Sequence, residues 1–434
     1  MRIRRFAGGT ALATITASVT LLASPSPAQA LDSIVLPVTS HWQTLADSQH
    51  VYVSAPGQDA VVATDHNGQV IKTVEGLDGA RGMTLTADES HLYVALPEAD
   101  AIAEIDTTTL TETRRFPTGT DTEPENLALA GGRLWFSYQA TVFDAGIGSI
   151  TVAETAPAVD LDDNPVWYGK PRLASSPGAP DRLVAAESAG GAGMRVYDVA
   201  SGTAEEIAYT DGVGDVEDLA ITPDGRSAIT ANGSTYYHQR WALSDLAEEA
   251  PYDTGAYPNA VSIAADGTVA AGVVASGEWD IFIYRPGETT PFRTVSLKYG
   301  YAELRDRGVA WAPDGSRLFG TRFTYAGEVI LDIITDVHKA NSNIVLTAPE
   351  TCPHGQPVTV SGKLTSLVPF PKNKVVTVTR YNEPIATVKV KPDGSFAFTD
   401  LPADYMSYAE YVVTYAGDET HAPGKATVTV EIIP

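Results

Sequence analysis

Between residues 51 and 319 the chain repeats one arrangement: a short apolar or alternating run, a tight polar turn, then a second apolar run. Residues 82–94, 218–228 and 308–319 are clear copies, and weaker ones surround Val51, Leu134, Leu183 and Val269. Alternation with a period of two marks half-buried strands, because successive side chains leave a strand on opposite faces. Further alternating runs follow the pairs: 101–105 and 110–116 on either side of the turn Asp106–Thr109, then 194–199 and 280–284. The Asp-Gly pairs at 224, 266 and 314 read as hairpin turns in which glycine supplies a positive φ.

The equivalent positions Val51, Leu92, Leu134, Leu183, Ala228, Val269 and Leu318 recur about every 44 residues. Repeats of this length, each with four short strands, predict propeller blades. The count is seven, with six or eight as alternatives, because the copy around Leu183 is weakly marked. The last copy has only three evident strands, ending with 329–334, while Ile34–Pro37 precedes the first complete copy. Residues 32–38 are therefore expected to supply the missing outer strand and remove two open edges. Pro37 suits an outermost strand, where no ladder hydrogen bond needs its nitrogen.

Tyr93-Val94-Ala95 followed by 100–110, and Tyr52-Val53-Ser54 followed by 60–65, resemble the YVTN-type repeat of YncE-like and lactonase-like seven-bladed propellers. The resemblance implies the fold of residues 31–339 and says little about chemistry. Residues 340–434 differ. Here 358–362, 374–379, 385–390 and 396–398 alternate as short strands, with Pro392-Asp393-Gly394 as a turn. Residues 411–418 followed by 426–432 are similar to the last strands of bacterial Ig-like repeat domains. That likeness implies an Ig-like β-sandwich serving as spacer or adhesive stalk; a transthyretin-like sandwich is the rival fold. The expected fold is all-β: a seven-bladed β-propeller with a C-terminal Ig-like β-sandwich.

Residues 1–30 read as a secretory signal. Arg2, Arg4 and Arg5 precede the apolar stretch 11–23, and Ala28-Gln29-Ala30 is a small-x-small cleavage site. The apolar run is too short to span a membrane. The mature chain is thus expected to start at Leu31, to lack a transmembrane segment, and to be secreted, extracellular or loosely held at the cell surface. Charge sharpens the domain picture: 31–339 hold 45 acidic and 19 basic residues, against 9 and 7 in 340–434. So acidic a chain is unsuited to nucleic acid or anionic lipid, which are held through clustered Lys and Arg. The single cysteine, Cys352, excludes a disulfide framework and a cysteine-based metal site, and reads as an inert buried thiol.

The chain has no G-x-S-x-G elbow, no H-E-x-x-H and no phosphate-binding glycine loop. The acidic run 160–164 lacks EF-hand spacing and reads as a solvated loop rather than a calcium site. No cofactor is called for, calcium or another divalent ion being the one candidate. Loop lengths are more informative. Turns such as His66-Asn67-Gly68, 223–225, 265–267 and 313–315 are minimal, whereas 117–126, 137–148, 210–218, 232–237, 298–308 and 322–327 are long and irregular. Function concentrates in such loops on a rigid scaffold, so the site is expected on their face. Arg81, Glu125, Asn126, Lys170, Arg172, Glu217, Asp218, Asn259, Asp306 and Arg307 precede or begin inner strands and should ring the channel. Tyr138, Phe143, Trp167, Tyr168, Tyr236, Tyr237, Trp279, Tyr301, Phe323 and Tyr325 are the loop aromatics, with Tyr236, Tyr237, Trp279 and Tyr325 expected in one exposed patch. Aromatic rings beside hydrogen-bonding groups suit a small molecule, a glycan or an extracellular protein. These residues equally suit charge pairing across the channel and sealing of blade edges. The expected function is a secreted binding or scaffold protein. The alternative is a metal-dependent lactonase-like hydrolase with Glu125, Asn126, Glu217, Asn259 and Asp306 around a divalent ion.

Overall fold

The computed structural model describes residues 31–141, 144–153, 157–162, 166–189, 193–233, 235–274, 280–297, 302–403 and 405–434. The expected signal segment 1–30 lies outside them. The described chain divides between Lys339 and Ala340 into two compact units.

The first unit consists of seven four-stranded antiparallel sheets. Six are built from consecutive strands, over 44–75, 83–117, 127–160, 172–210, 216–252 and 258–295. The seven equivalent apolar positions all fall on the second strand of a sheet, and all are fully buried. Branched and aromatic side chains on the second and third strands meet those of the neighbouring sheet in a series of separate apolar clusters. The minimal turns behave as read: Gly225, Gly267 and Gly315 take φ of 70°, 90° and 68°, open to a residue without Cβ.

The seventh sheet draws on both ends of the unit. Ala302–Trp311, Leu318–Thr324 and Val329–Ile334 supply three strands, and Leu31–Val35 pairs antiparallel along the outside of the last. Ser33 hydrogen-bonds Asp332, which also pairs with Arg322, and both partners of that pair are almost fully buried. The closing strand is shorter than the 32–38 expected. Its last bond runs from the Leu36 amide to the Val329 carbonyl, and Pro37, with no N–H to give, follows. Leu36 and Val38 continue inward into the cluster around Phe319 and Leu331.

The second unit has a three-stranded sheet, Asn343–Thr347, Val358–Thr365 and Ser395–Asp400, and a five-stranded one. Residues of both sheets, among them Ile344, Val360, Phe396, Val376, Tyr411 and Val430, share one apolar core. Two strands escaped the sequence reading, Asn343–Thr347 and Thr351–Pro353. The second is three residues long and joins Gly424–Ile433 in parallel, too short to show a period. It carries Cys352, which is buried.

Candidate functional site

The first strands of neighbouring sheets lie side by side, so they form the inner wall of the ring. An innermost strand has a partner on one edge only, and its other edge presents amides and carbonyls that must be satisfied. Polar side chains at the strand starts do this, each reaching to the next sheet. Gln43 accepts from the Met83 amide at 2.7 Å. Asn126 Nδ2 donates to the Pro171 carbonyl at 3.0 Å, and Arg172 Nε to that of Val216 at 3.3 Å. Asp218 accepts from the Val261 amide at 2.8 Å, and Asn259 Nδ2 donates to Leu304 at 2.9 Å. Between the second and third sheets the Gly82 amide donates to the Glu125 carbonyl, and Arg81 pairs with the Glu125 side chain. Arg307 closes the circle from the seventh sheet to the first, with Nε on the Trp42 carbonyl at 3.1 Å. A second donation, from Nη1 to the Glu217 carbonyl at 3.1 Å, reaches the fifth sheet.

The charged members form one network. Glu125, buried, is met by Arg81, by Lys170 at 3.5 Å and by Arg172 at 3.6 Å, and Arg172 continues to Glu217 at 3.9 Å. At its centre stands a residue that the sequence reading passed over. The guanidiniums of Arg307, Arg81 and Arg172 lie 4.4, 4.6 and 5.8 Å from the centroid of the Trp42 ring. Such contacts contribute more when desolvated. Only the structure brings a lone Trp before the first sheet together with arginines from three others.

Burial sets the proton affinities here. It pushes the Asp218 carboxyl up to about 6, against two backbone amides that favour the anion. Glu217 is raised by burial and by Asp306. Burial, with Arg172 nearby, brings Arg307 down to about 10. His41 is held well below its ordinary value by burial, then by Arg307 and Arg305, and its Nε2 shares a 2.9 Å hydrogen bond with Thr44. The first strands of the first, fifth, sixth and seventh sheets line a half-open cavity of about 350 Å³ that Asp218 and Arg307 border.

The polar residues expected around the channel thus do come together, largely as staples and ion pairs. Of the five oxygen donors of the hydrolase reading, Asn259 and Asp306 lie side by side, with Nδ2 donating to Oδ1 at 3.4 Å, and Asp306 is close enough to Glu217 to raise its proton affinity, whereas Glu125 faces cations and Asn126 Oδ1 accepts from Arg172. Among the described residues no three His, Cys, Asp or Glu side chains form a set able to hold a metal ion.

The aromatics separate into two classes. Tyr236 and Tyr325 are 67% and 76% exposed, in connections between second and third strands, while Tyr237 is half-buried. Tyr168 and Tyr257, before first strands, are 73% and 57% exposed. Tyr138 and Trp167 are not loop aromatics but core. Tyr138 lies within the strand Arg133–Gln139 with its hydroxyl on the Asp162 carbonyl, and Trp167 packs under Arg195 beside Ala145. The strand pair continues to Gln139 and resumes at Ala145, so the expected loop 137–148 is much shorter. Phe323 likewise belongs to a strand, with Arg305 over its ring. Phe143, Trp279 and Tyr301 lie outside the described residues, as do Asp163 and Asn164 of the acidic run. No helix among the described residues is long and apolar enough to cross a membrane.

No protein-family model matches this chain, and no curated protein matches it. Solved structures do. The β-propeller domain of Myceliophteria thermophila Cps50 (Swd1) is similar with a TM-score of 0.54 at 13% identity, over 69% of this chain and 99% of that one. Kuenenia stuttgartiensis hydrazine synthase gives 0.54 at 15%, over 70% and 98%. The WD40 repeats of RRP9 give 0.53 at 13%, over 72% and 99%. At such identities the likeness concerns the fold alone: the chain is an all-β protein whose repeated four-stranded sheets build a β-propeller.

Proposed function

We propose that this chain is an exported seven-bladed β-propeller of YncE-like kind, with an Ig-like module as spacer, and that it works as a binding scaffold. It holds an extracellular protein, a glycan or a small molecule on the face formed by the irregular loops. The observation that carries this reading is the distribution of exposed tyrosines. Of the five exposed tyrosines among the described residues of this unit, Tyr168, Tyr236, Tyr257 and Tyr325 sit in connections into first strands or between second and third strands, which share one face of a propeller, and Tyr209 lies on an outer strand against Arg195. The opposite class of turns carries no tyrosine or tryptophan. Folding does not require these rings in water, and a phenol offers apolar area with a hydrogen-bonding tip. The hub below them supports binding over catalysis, since its carboxylates and guanidiniums are engaged with one another and with backbone.

The test is the double variant Tyr236→Ala/Tyr325→Ala, compared with the unaltered chain on glycan and peptide arrays. Loss of two anchoring aromatics should weaken binding at least roughly tenfold, with the melting temperature unchanged. Retention of every array signal by the double variant overturns the reading.

A further inference from the structure

The second unit is nearly neutral in the sequence, with 9 acidic and 7 basic residues, but the fold sorts them. Its six lysines stand together at the end where residues 366–374 and 390–394 join the two sheets. Lys363 pairs with Ser395, the first residue of its strand, Lys389 with Val375, and Lys425 with Thr414. Lys372, Lys374 and Lys391 lie in the two connections, which the Val390 amide ties together by donating to the Lys374 carbonyl at 3.0 Å. Five of the six are exposed. Lys374 is half-buried, its ammonium 5.5 Å from the centre of the Phe370 ring. Among the described residues none of them has an ion-pair partner within 4.0 Å. The acids at this end are Asp393, Asp418 and Glu419, and Asp418 is taken up by His421 at 3.0 Å and by the Tyr415 hydroxyl. The opposite end has the reverse character: Glu350, Glu383, Asp400, Glu410 and Glu431 gather around one cation, Arg380, which Asp400 engages at 2.5 Å.

Like charges gathered without partners repel one another, and a polyanion relieves that repulsion with many negative groups along one chain. The placement of the lysines selects among polyanions. Lys363 leaves the outer face of the three-stranded sheet, Lys389 and Lys425 leave that of the five-stranded sheet, and the other three occupy the end between them. A flat bilayer meets one side of such an array, whereas a linear polymer follows it round. Leu367 is the one large apolar side chain exposed in the connection 366–374, too little apolar area to hold a lipid surface. The end also lacks the arginines that read bases and the exposed rings that stack on them. Lysines are compact point charges, so the fit is to charge density rather than to the shape of one anion. We propose that this end of the second unit binds an anionic linear polysaccharide, several of whose charged groups meet the lysines at once. The binding is independent of the loop-face reading, and the tyrosine variants above leave it untouched.

Titration of the full chain with polygalacturonate provides the test, with dextran as the uncharged polymer and phosphatidylglycerol vesicles and duplex DNA as rival polyanions. Saturable binding of polygalacturonate is expected, with no binding of dextran and weaker binding of vesicles and DNA. Affinity should fall at least roughly tenfold between about 50 and 200 mM salt, because each contact releases counterions. The triple variant Lys372→Gln/Lys389→Gln/Lys391→Gln should weaken binding at least roughly tenfold with the melting temperature unchanged, since these side chains are exposed and unpaired. Glu383→Gln/Glu431→Gln changes charge at the opposite end and should alter affinity by less than about twofold, because salt confines each charge to its neighbourhood. Absence of polygalacturonate binding, equal binding of dextran, undiminished binding by the lysine variant, or tighter binding of vesicles or DNA each overturn the proposal.

Discussion

The two units bury their strands by different means. In residues 340–434 one alternating face turns inward, and the buried polar residues are only Ser342 and His421 among those described. In the ring unit they are many, and ten of them bear an acidic or guanidinium group, from Asp47 to Asp332. Two facing sheets leave their strand edges at the periphery, where water serves them. A ring brings seven strand edges together at its axis, away from bulk water, and every one needs a partner. The polar residues at the strand starts are therefore part of what closes the ring; the buried charges, six acidic and four arginine among the described residues, nearly balance, so the acidic excess of this unit is not in its interior.

The comparison breaks most sharply if closure is removed. Deleting 31–40 opens the seventh sheet along Val329–Ile334 and uncovers the Arg322–Asp332 pair. Asp332→Ala alone should cost about 3–5 kcal/mol, since it removes the carboxylate that a buried guanidinium faces. Hydrogen exchange is expected to show the loss over 318–334 while the amides of 358–365 keep their protection; equal loss in both would mean that the units are not separate in stability.

A smaller effect is expected from one staple. Asn126→Ala leaves the Pro171 carbonyl and an Arg172 donor unsatisfied, at about 1–3 kcal/mol. Urea denaturation would register it. A change within a few tenths of a kcal/mol would show that water replaces the amide at the axis.

An effect no larger than that of the staple comes from pH, once spread over about two pH units and reduced by solvent. Asp218 titrates near 6 when folded, above its ordinary value of 3.8, so the folded chain keeps a proton that the unfolded chain has released. Stability contributed by this group is present below that ordinary value and declines as the pH rises to about 6. The slope is at most about 1.4 kcal/mol per pH unit, and solvent relaxation reduces it. Asp218→Asn should flatten this segment of the profile relative to the unaltered chain. An unchanged slope would place the carboxyl in water.

Much of the ring was legible because its signal is local. An apolar residue such as Leu92 or Val269 near the start of a second strand is fully buried in its sheet, and it recurs at a fixed spacing along with the tight turn before it. Asn126, Arg172 and Asn259 were visible as polar residues at strand starts. Their partners were not, because each lies roughly one repeat away and a staple has the same one-residue signature as a ligand contact. Trp42 and Arg307 escaped as a pair for the same reason, with 265 residues between Arg307 and the carbonyl it holds. Tyr138 and Trp167 misled in the other direction. Both are large aromatics near irregular sequence, and only the strand register shows that their rings turn inward.

The strand Leu31–Val35 has a consequence for synthesis. Ser33 and its partner Asp332 are 299 residues apart in the chain. At the usual rate of roughly 5–20 residues per second, this strand waits on the order of 15–60 s for the edge it covers to be made. Until then every sheet that forms lacks a closed circle, and two edges stand open to other chains. Completion of the ring is thus a single late event of high contact order. Of all the strands in the ring, Leu31–Val35 therefore stays without its partner edge for longest.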